Sequence, residues 1–455
     1  MIGGLARRTY GNAVIVASAR GQRRVPFQPR ERLERRRDAR IRGIVGHAAA
    51  TVPHYREWFR SQRIDPREIS GPAELRQLPI LDREQVRAEP ERFLSDGRAA
   101  RGALSFSTSG TTGTPLTAHH DRRSLLANIG WGERERGPVI DLCGGSFRPS
   151  EVYVGYETST FKKVSAFYAA NSLLPVKPAR RFVPLSEPVE RIAEILDEEH
   201  PDLLVGYGGW LDLFFSTLSA RGARVHPPKL VMYMGEALPP GSRERIESEF
   251  GIPVMSRYNA VEAFKIGFYC ERRTGFHVHE DLCHVRIVGA DGEDVATGRS
   301  GSIVISNLVN RATVLLNYPI GDVASISKSP CPCGRTFQVL SELEGRLEDM
   351  IPLADGRVIH PREVWQVFKH DPQVLQYRLV QHEPDRFELE LLTEDEAAFS
   401  RARDRAMPEL LRLLGADAEV ATHRRAEAEL PAGGKYRAVA SLLPRGDAEP
   451  VSPPR

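Results

Sequence analysis

Between residues 189 and 256 the apolar positions switch repeatedly between two spacings. Val189, Ile192, Ile195 and Leu196 recur at helical intervals, and Leu203-Leu204-Val205 is then a short continuous apolar run. Trp210, Leu211, Phe214, Phe215 and Leu218 return to helical spacing, and Leu230 to Met234 is apolar again. These spacings predict a helix, a strand, a helix and a strand. Ser242, after Pro239-Pro240-Gly241, is placed to cap a helix carrying Ile246 and Phe250; Gly251 ends it, and Pro253 to Ser256 reads as the next strand. Continuous apolar strands alternating with helices mean an α/β fold, a mostly parallel sheet covered by helices.

After about residue 345 the pattern changes. Val374 to Gln381 and Phe387 to Leu392 alternate around Glu383-Pro384-Asp385, which predicts a hairpin. A helix to Leu414 and a strand near Val420 follow. The expected organisation is a large unit over 1–345, a small α+β unit over 346–445 and a disordered tail over 446–455. There is no internal repeat.

Composition narrows the class. Of 455 residues, 41% are hydrophobic and 27% charged, which excludes disordered and collagen-like chains. The 63 basic and 60 acidic residues leave a formal charge of +3, too even for a dedicated nucleic-acid binder. The longest apolar stretch, Leu203 to Ala220, contains Asp212 and three glycines, so no membrane span is expected. Ala13 to Ala19, between Arg8 and Arg20, is too short for the core of a signal peptide. Five cysteines are too few for a disulfide framework, and a reducing cytoplasm is expected. Arginines between Arg20 and Arg42 interleave with glutamates and read as a solvated helix face. Lysine is rare: there are eight, at 162, 163, 177, 229, 265, 328, 369 and 435.

Two clusters carry chemistry. Residues 105–115 hold Thr108-Ser109-Gly110-Thr111-Thr112-Gly113-Thr114-Pro115. Glycines let backbone N–H groups approach anionic oxygens and hydroxyls add donors, so the loop suits a phosphate group. It lacks the Gly-Lys of a Walker loop, and a flexible linker is the alternative. The second cluster is Cys331-Pro332-Cys333-Gly334, with Cys270 and His277 upstream and six residues between them. Three thiolates and an imidazole would complete a closed tetrahedral zinc site, with His279 and Cys283 in reserve. Cys143, without a partner in sequence, reads as core.

The loop resembles the phosphate loop of the adenylate-forming enzymes, which include acyl-CoA synthetases, adenylation domains and luciferases. Leu116 stands where most of them carry lysine, an absence shared with the phenylacetate–CoA ligase branch. Further resemblances follow in order: Gly235-Glu236-Ala237-Leu238 to the adenine-pocket strand end, Tyr258-Asn259-Ala260-Val261-Glu262 to the Tyr-Gly-x-Ser/Thr-Glu motif, and Tyr318 to Asp322 to the ribose segment. Gly345-Arg346-Leu347-Glu348 resembles the hinge and Gly434-Lys435 the C-terminal lysine motif.

The resemblance implies roles. Glu262 would hold magnesium, a hard carboxylate for a hard cation. Tyr258 would stack on adenine, Asp322 would accept the ribose hydroxyls beside Arg346, Glu348 would be the hinge, and Lys435 would act at the α-phosphate. Cys270, His277, Cys331 and Cys333 match a structural zinc found in some members of that branch. The sequence departs from the motif at Asn259, expected to keep a positive-φ turn where glycine is usual, and at Val261, which removes a hydroxyl. Gly206-Tyr207-Gly208-Gly209-Trp210 reads equally as an acid pocket with an aromatic wall and as a tight strand–helix turn.

The expected activity is ATP-dependent conversion of a carboxylic, aromatic-type acid to an acyl-AMP, then transfer to coenzyme A, with Mg2+ and structural Zn2+. Transfer to a non-CoA acceptor and an inactive zinc-stabilised binding protein are the alternatives. Small molecules are the expected partners, and monomer and homodimer both stay open.

Overall fold

The computed structural model describes residues 2–108, 115–146, 148–174, 179–341, 343, 345–346, 349–369, 371–428 and 436–443. Ser109 to Thr114, Glu348, Lys435 and the 446–455 tail therefore lie outside the described residues.

The central sheet has eight strands, in spatial order Val339–Leu340, Phe276–Val278, Gly267–Tyr269, Val254–Tyr258, Leu230–Tyr233, Leu203–Gly206, Ser150–Gly155 and Ala179–Pro184. The last five are mutually parallel, and the first three join antiparallel. The three strands expected at 203, 230 and 253 are neighbours, with helices Gly208–Ala220 and Pro240–Glu249 between them in sequence. Both faces of these strands are covered, so they needed no alternation: Leu203 and Val205 enter one core, Leu204 the other. A second, antiparallel sheet of Cys283–Val288, Gly301–Asn307, Tyr318–Ala324 and Gly345–Arg346 shares the first of these cores.

The C-terminal hairpin forms as Gln376–Glu383 and Arg386–Leu392, flanked by Val439–Ser441 and Glu419–Arg425 in parallel pairing. Helices Pro361–Phe368 and Glu396–Leu414 complete a core of their own, from Ile351 to Val439.

Two expectations need correction. Ser242 does not cap the helix Pro240–Glu249. Proline at its first position starts it one turn earlier, and the Ser242 hydroxyl donates to Asp212 instead. The arginine-rich helix Arg30–Thr51 is not simply solvated. Arg36 Nε and Arg40 Nη1 lie 2.8 and 3.0 Å from Asp281 Oδ2, and Arg134 Nη1 lies 2.6 Å from Oδ1. A carboxylate as buried as Asp281 needs such charges, which hold it far below the carboxylate range against the opposing effect of its burial.

Residues Ile2–Ala19 form a helix whose Ile15 packs with Phe106, Leu125 and Phe167. A Cβ at Gly11 would lie 1.8 Å from the Asn171 carbonyl oxygen, so the close approach requires glycine. Cys143 is fully buried, as expected. Among the described residues, no helix is long and apolar enough to cross a membrane.

Candidate active site and metal cluster

The parallel strands Leu230–Tyr233 and Val254–Tyr258 end at a cavity of about 800 Å³, on the side where open α/β sheets place ligands. Tyr258 closes one strand, and its hydroxyl donates to Asp322 Oδ2 at 2.6 Å. Burial, reinforced by the Asp322 carboxylate, pushes that phenol well above its ordinary range. Arg346 is the antiparallel register partner of Asp322, with Nε 3.5 Å from Oδ1. Residues 64 and 24 positions apart thus meet at one point of the cavity wall.

Gly235 follows the neighbouring strand at φ +81°, with the Tyr207 ring only 3.0 Å from where a Cβ would be; both conditions demand glycine. Glu236 accepts from Gly209 N and from Tyr436 N, each at 3.2 Å. The second bond brings the residue after Lys435 to the nucleotide-motif end of the cavity. Arg437, also on the lining, pairs with Asp349 at 2.6 Å.

The phosphate-loop candidate is described at its ends. Strands Leu104–Ser107 and Thr117–His120 pair antiparallel, Thr108 N donates to Leu116 O at 2.9 Å, and Leu116 N donates to Thr108 Oγ1 at 3.0 Å. Thr108 and the buried Leu116 both line the cavity that Tyr258 and Glu262 also line. The two ends of the loop are thus held together.

Glu262 is buried and lines the cavity, and its backbone oxygen accepts from Asn307 Nδ2 at 2.9 Å. Asn259 does not occupy the positive-φ turn expected of it. Its amide instead donates to Phe264 O at 2.7 Å and Tyr258 O at 3.1 Å, bracing the loop with a side chain that glycine lacks. Val261 packs with Phe106 and Phe264, and its carbonyl meets His120 Nε2 at 2.6 Å.

Burial depresses the His120 pKa to about 4, although that backbone bond opposes the shift. An unfolded histidine titrates near 6.5, so from there down to about pH 4 the unfolded chain binds a proton that folded His120 does not. Stability is therefore full above pH 6.5 and falls as pH drops through this window, by at most about 1.4 kcal/mol per unit from this residue. Denaturant midpoints at pH 7.5 and 5 should show the fall, and His120→Gln should lose its share of it. An unchanged pH dependence in that variant would exclude His120 as a contributor.

The glycine run divides. Tyr207 and Gly209 line the cavity. Gly208 instead makes room for protein: a Cβ there would lie 2.2 Å from Ala237 O. Trp210 does not form the cavity's wall but is buried in the core, stacked on Phe214 with ring centroids 5.1 Å apart. It sits on the far face of the helix that the glycines begin. The aromatic wall comes from elsewhere, with Tyr153 stacked on Phe161 at 4.3 Å and Tyr156 beside Tyr207 at 5.2 Å.

Cys270, His277, Cys331 and Cys333 bring one ligand atom each within 4.8 Å of one another. Cys270 Sγ and Cys331 Sγ are 3.7 Å apart, and Cys333 Sγ is 3.4 Å from His277 Nε2. Zinc–sulfur bonds of about 2.3 Å in a tetrahedron give sulfur–sulfur edges of about 3.8 Å, so the cluster fits that ion. Arg272 N and Arg335 N point at Cys270 and Cys333 sulfurs, donors suited to thiolates. The reserve ligands are elsewhere: His279 Nε2 lies 3.0 Å from Glu135 Oε1, and Cys283 is in the apolar core.

A charged group on the cavity lining was not singled out from sequence. Glu135, on helix Glu133–Leu142, is shared by Lys265 Nζ at 2.6 Å, Arg257 Nε at 2.9 Å and His279. Burial would raise the Glu135 pKa, but Lys265, His279 and Arg257 outweigh it and hold the carboxylate far below its usual range. Burial lowers Lys265 despite that carboxylate. The rarity of lysine, which draws the eye to Lys435, applies equally to Lys265.

No family model matches the chain. It is 24% identical over 363 residues to a phenylacetate-coenzyme A ligase of Thermus thermophilus, covering 77% of this chain and 79% of that one. It is 22% identical over 354 residues to the phenylacetate-coenzyme A ligase of Aromatoleum evansii, covering 76% and 77%. The fold is similar to that of 2-hydroxyisobutyryl-CoA ligase in its postadenylation state, with a TM-score of 0.76 at 18% identity over 92% of this chain and 91% of that one. Against the thioesterification state of the same ligase, at 20% identity over the same shares of the two chains, the TM-score is 0.61.

Proposed function

We propose that this chain, phenylacetate–coenzyme A ligase-like in sequence and built on the adenylate-forming fold, is an AMP-forming acid–thiol ligase. A substrate carboxylate oxygen attacks the α-phosphorus of ATP, forming a carboxyl–phosphate bond as pyrophosphate leaves. The thiol sulfur of coenzyme A then attacks the acyl carbon, loses its proton and releases AMP. The observation that carries this reading is the convergence of Tyr258, Asp322 and Arg346 with the Tyr436–Arg437 segment in one cavity.

In this reading Tyr258 offers a flat face to adenine and Asp322 accepts the ribose hydroxyls, its second partner Arg346 holding the carboxylate in place. Thr108 begins the loop 109–114 that donates to the phosphates. Glu262 would hold Mg2+, which when bound supplies positive charge to the phosphate oxygens. Lys435 would act at the α-phosphate in the first step; the bond from Tyr436 N to Glu236 and the higher similarity to the postadenylation conformation support an arrangement suited to that step. Residues 346–445 then rotate about Arg346–Glu348 for the second step. The stacked tyrosines and phenylalanine of the wall favour an aromatic acid. Cys270, His277, Cys331 and Cys333 would hold Zn2+ in a closed set that leaves no position for water, a structural role.

Exchange of labelled pyrophosphate into ATP in the presence of carboxylic acids tests the first step. Thioester formation with and without coenzyme A tests the second. Exchange with at least one acid is expected. Exchange without thioester would move the assignment to a different acceptor, and no exchange with any acid would overturn it.

A further inference from the structure

The cavity wall has a second charged region beyond the nucleotide motifs. Asn128, Glu135 and Tyr168 line it from the helices Arg122–Trp131, Glu133–Leu142 and Thr160–Asn171, which carry no nucleotide motif, and Lys265 joins them from the loop that follows Glu262. Two cations share one carboxylate here. Lys265 Nζ donates to no second partner among the described residues, and an ammonium has three N–H donors. Arg257 Nε is 2.9 Å from Glu135 but not aligned to hydrogen-bond to it. The group therefore faces a ligand cavity with one positive charge in excess, and buried charge of that kind is costly unless it is matched. An apolar residue at position 265 would close this wall more cheaply if the cavity held only a hydrocarbon ring.

We propose that Lys265, positioned by Glu135, binds a second oxygen group on the acid substrate, remote from the carboxylate that is activated. Among such groups the excess charge favours a second carboxylate over a hydroxyl. The inference rests on the acid-activating reading and deepens it: the substrate is an aromatic acid bearing an additional oxygen anion or acceptor. Gly132 belongs to the same device, since its missing side chain leaves the ammonium open, with Nζ 3.7 Å from the Cβ position.

The test compares phenylacetate with its ring-hydroxylated and ring-carboxylated counterparts, by kcat/KM for pyrophosphate release and by calorimetric binding to the whole protein. Wild type should prefer a ring-oxygenated acid, the carboxylated one most. Lys265→Met should collapse the ratio of carboxylated to unsubstituted acid by roughly thirtyfold or more, the effect expected for removing one partner of a buried charged pair. Lys265→Gln, which retains donors without charge, should restore part of the preference for the hydroxylated acid. If the methionine variant does not fold, the glutamine variant carries the same comparison. A wild-type preference for the unsubstituted acid, or a ratio that neither variant moves, overturns the subsite. Absence of pyrophosphate release with every acid, while calorimetry still shows the Lys265-dependent binding difference, overturns the activity and leaves the subsite standing.

Discussion

Replacing Lys435 by alanine should lower pyrophosphate release on the order of a hundredfold or more, while thioester formation from a supplied acyl-adenylate stays near the wild-type rate. The first step joins two anions, a carboxylate and a phosphate, and a cation between them is worth most when charge develops on the phosphorane oxygens. Lysine suits that position: a compact ammonium on a flexible stem enters a gap that a planar guanidinium does not. In a chain so rich in arginine, a lysine between Gly434 and Tyr436 is a pointed choice. Its neighbour Tyr436 is tied to Glu236 on the cavity wall. Lys435→Arg should recover little of the loss. Single-turnover measurements of each half-reaction decide the matter, and unchanged adenylation in Lys435→Ala would remove the residue from the mechanism.

Cys331→Ser should cost the protein its metal and much of its solubility together. Protein purified without added metal should carry one zinc per chain by elemental analysis, and the variant should carry far less. The four ligands come from Cys270, His277 on the strand Phe276–Val278, and the loop of Cys331 and Cys333; that strand pairs with Val339–Leu340 at the edge of the central sheet. Binding there is folding free energy, because the unfolded chain has no such site. Removing the ion should therefore loosen the sheet edge, and chelation of wild type at raised temperature should reproduce the variant. A metal-free protein of full stability would end the zinc assignment.

The sequence by itself determined the elements and their class. Where strands are buried on both faces, as at Leu203–Gly206 and Leu230–Tyr233, continuous apolar runs specify them without long-range information. The C-terminal hairpin and the helix Glu396–Leu414 were legible for the same reason, a local period with clear breaks. That Cys270, His277, Cys331 and Cys333 come together was legible too, because thiols at short spacing in a cysteine-poor chain have few alternative uses.

Only the tertiary structure decided which residues share a site. Tyr258 and Asp322 are 64 positions apart, and nothing local says that a phenol on one sheet will meet a carboxylate on another. Trp210 had the right composition for a pocket wall but the wrong helix face, which depends on how the helix rolls against the sheet. Arg36 and Arg40 had the composition of a solvated face until Asp281 was brought beneath them. Glu135 and Lys265 are 130 positions apart, and each alone is one more charged residue among many. A buried charge is costly enough that its partner is set by three-dimensional proximity, and proximity across chain segments is what one-dimensional periodicity does not encode.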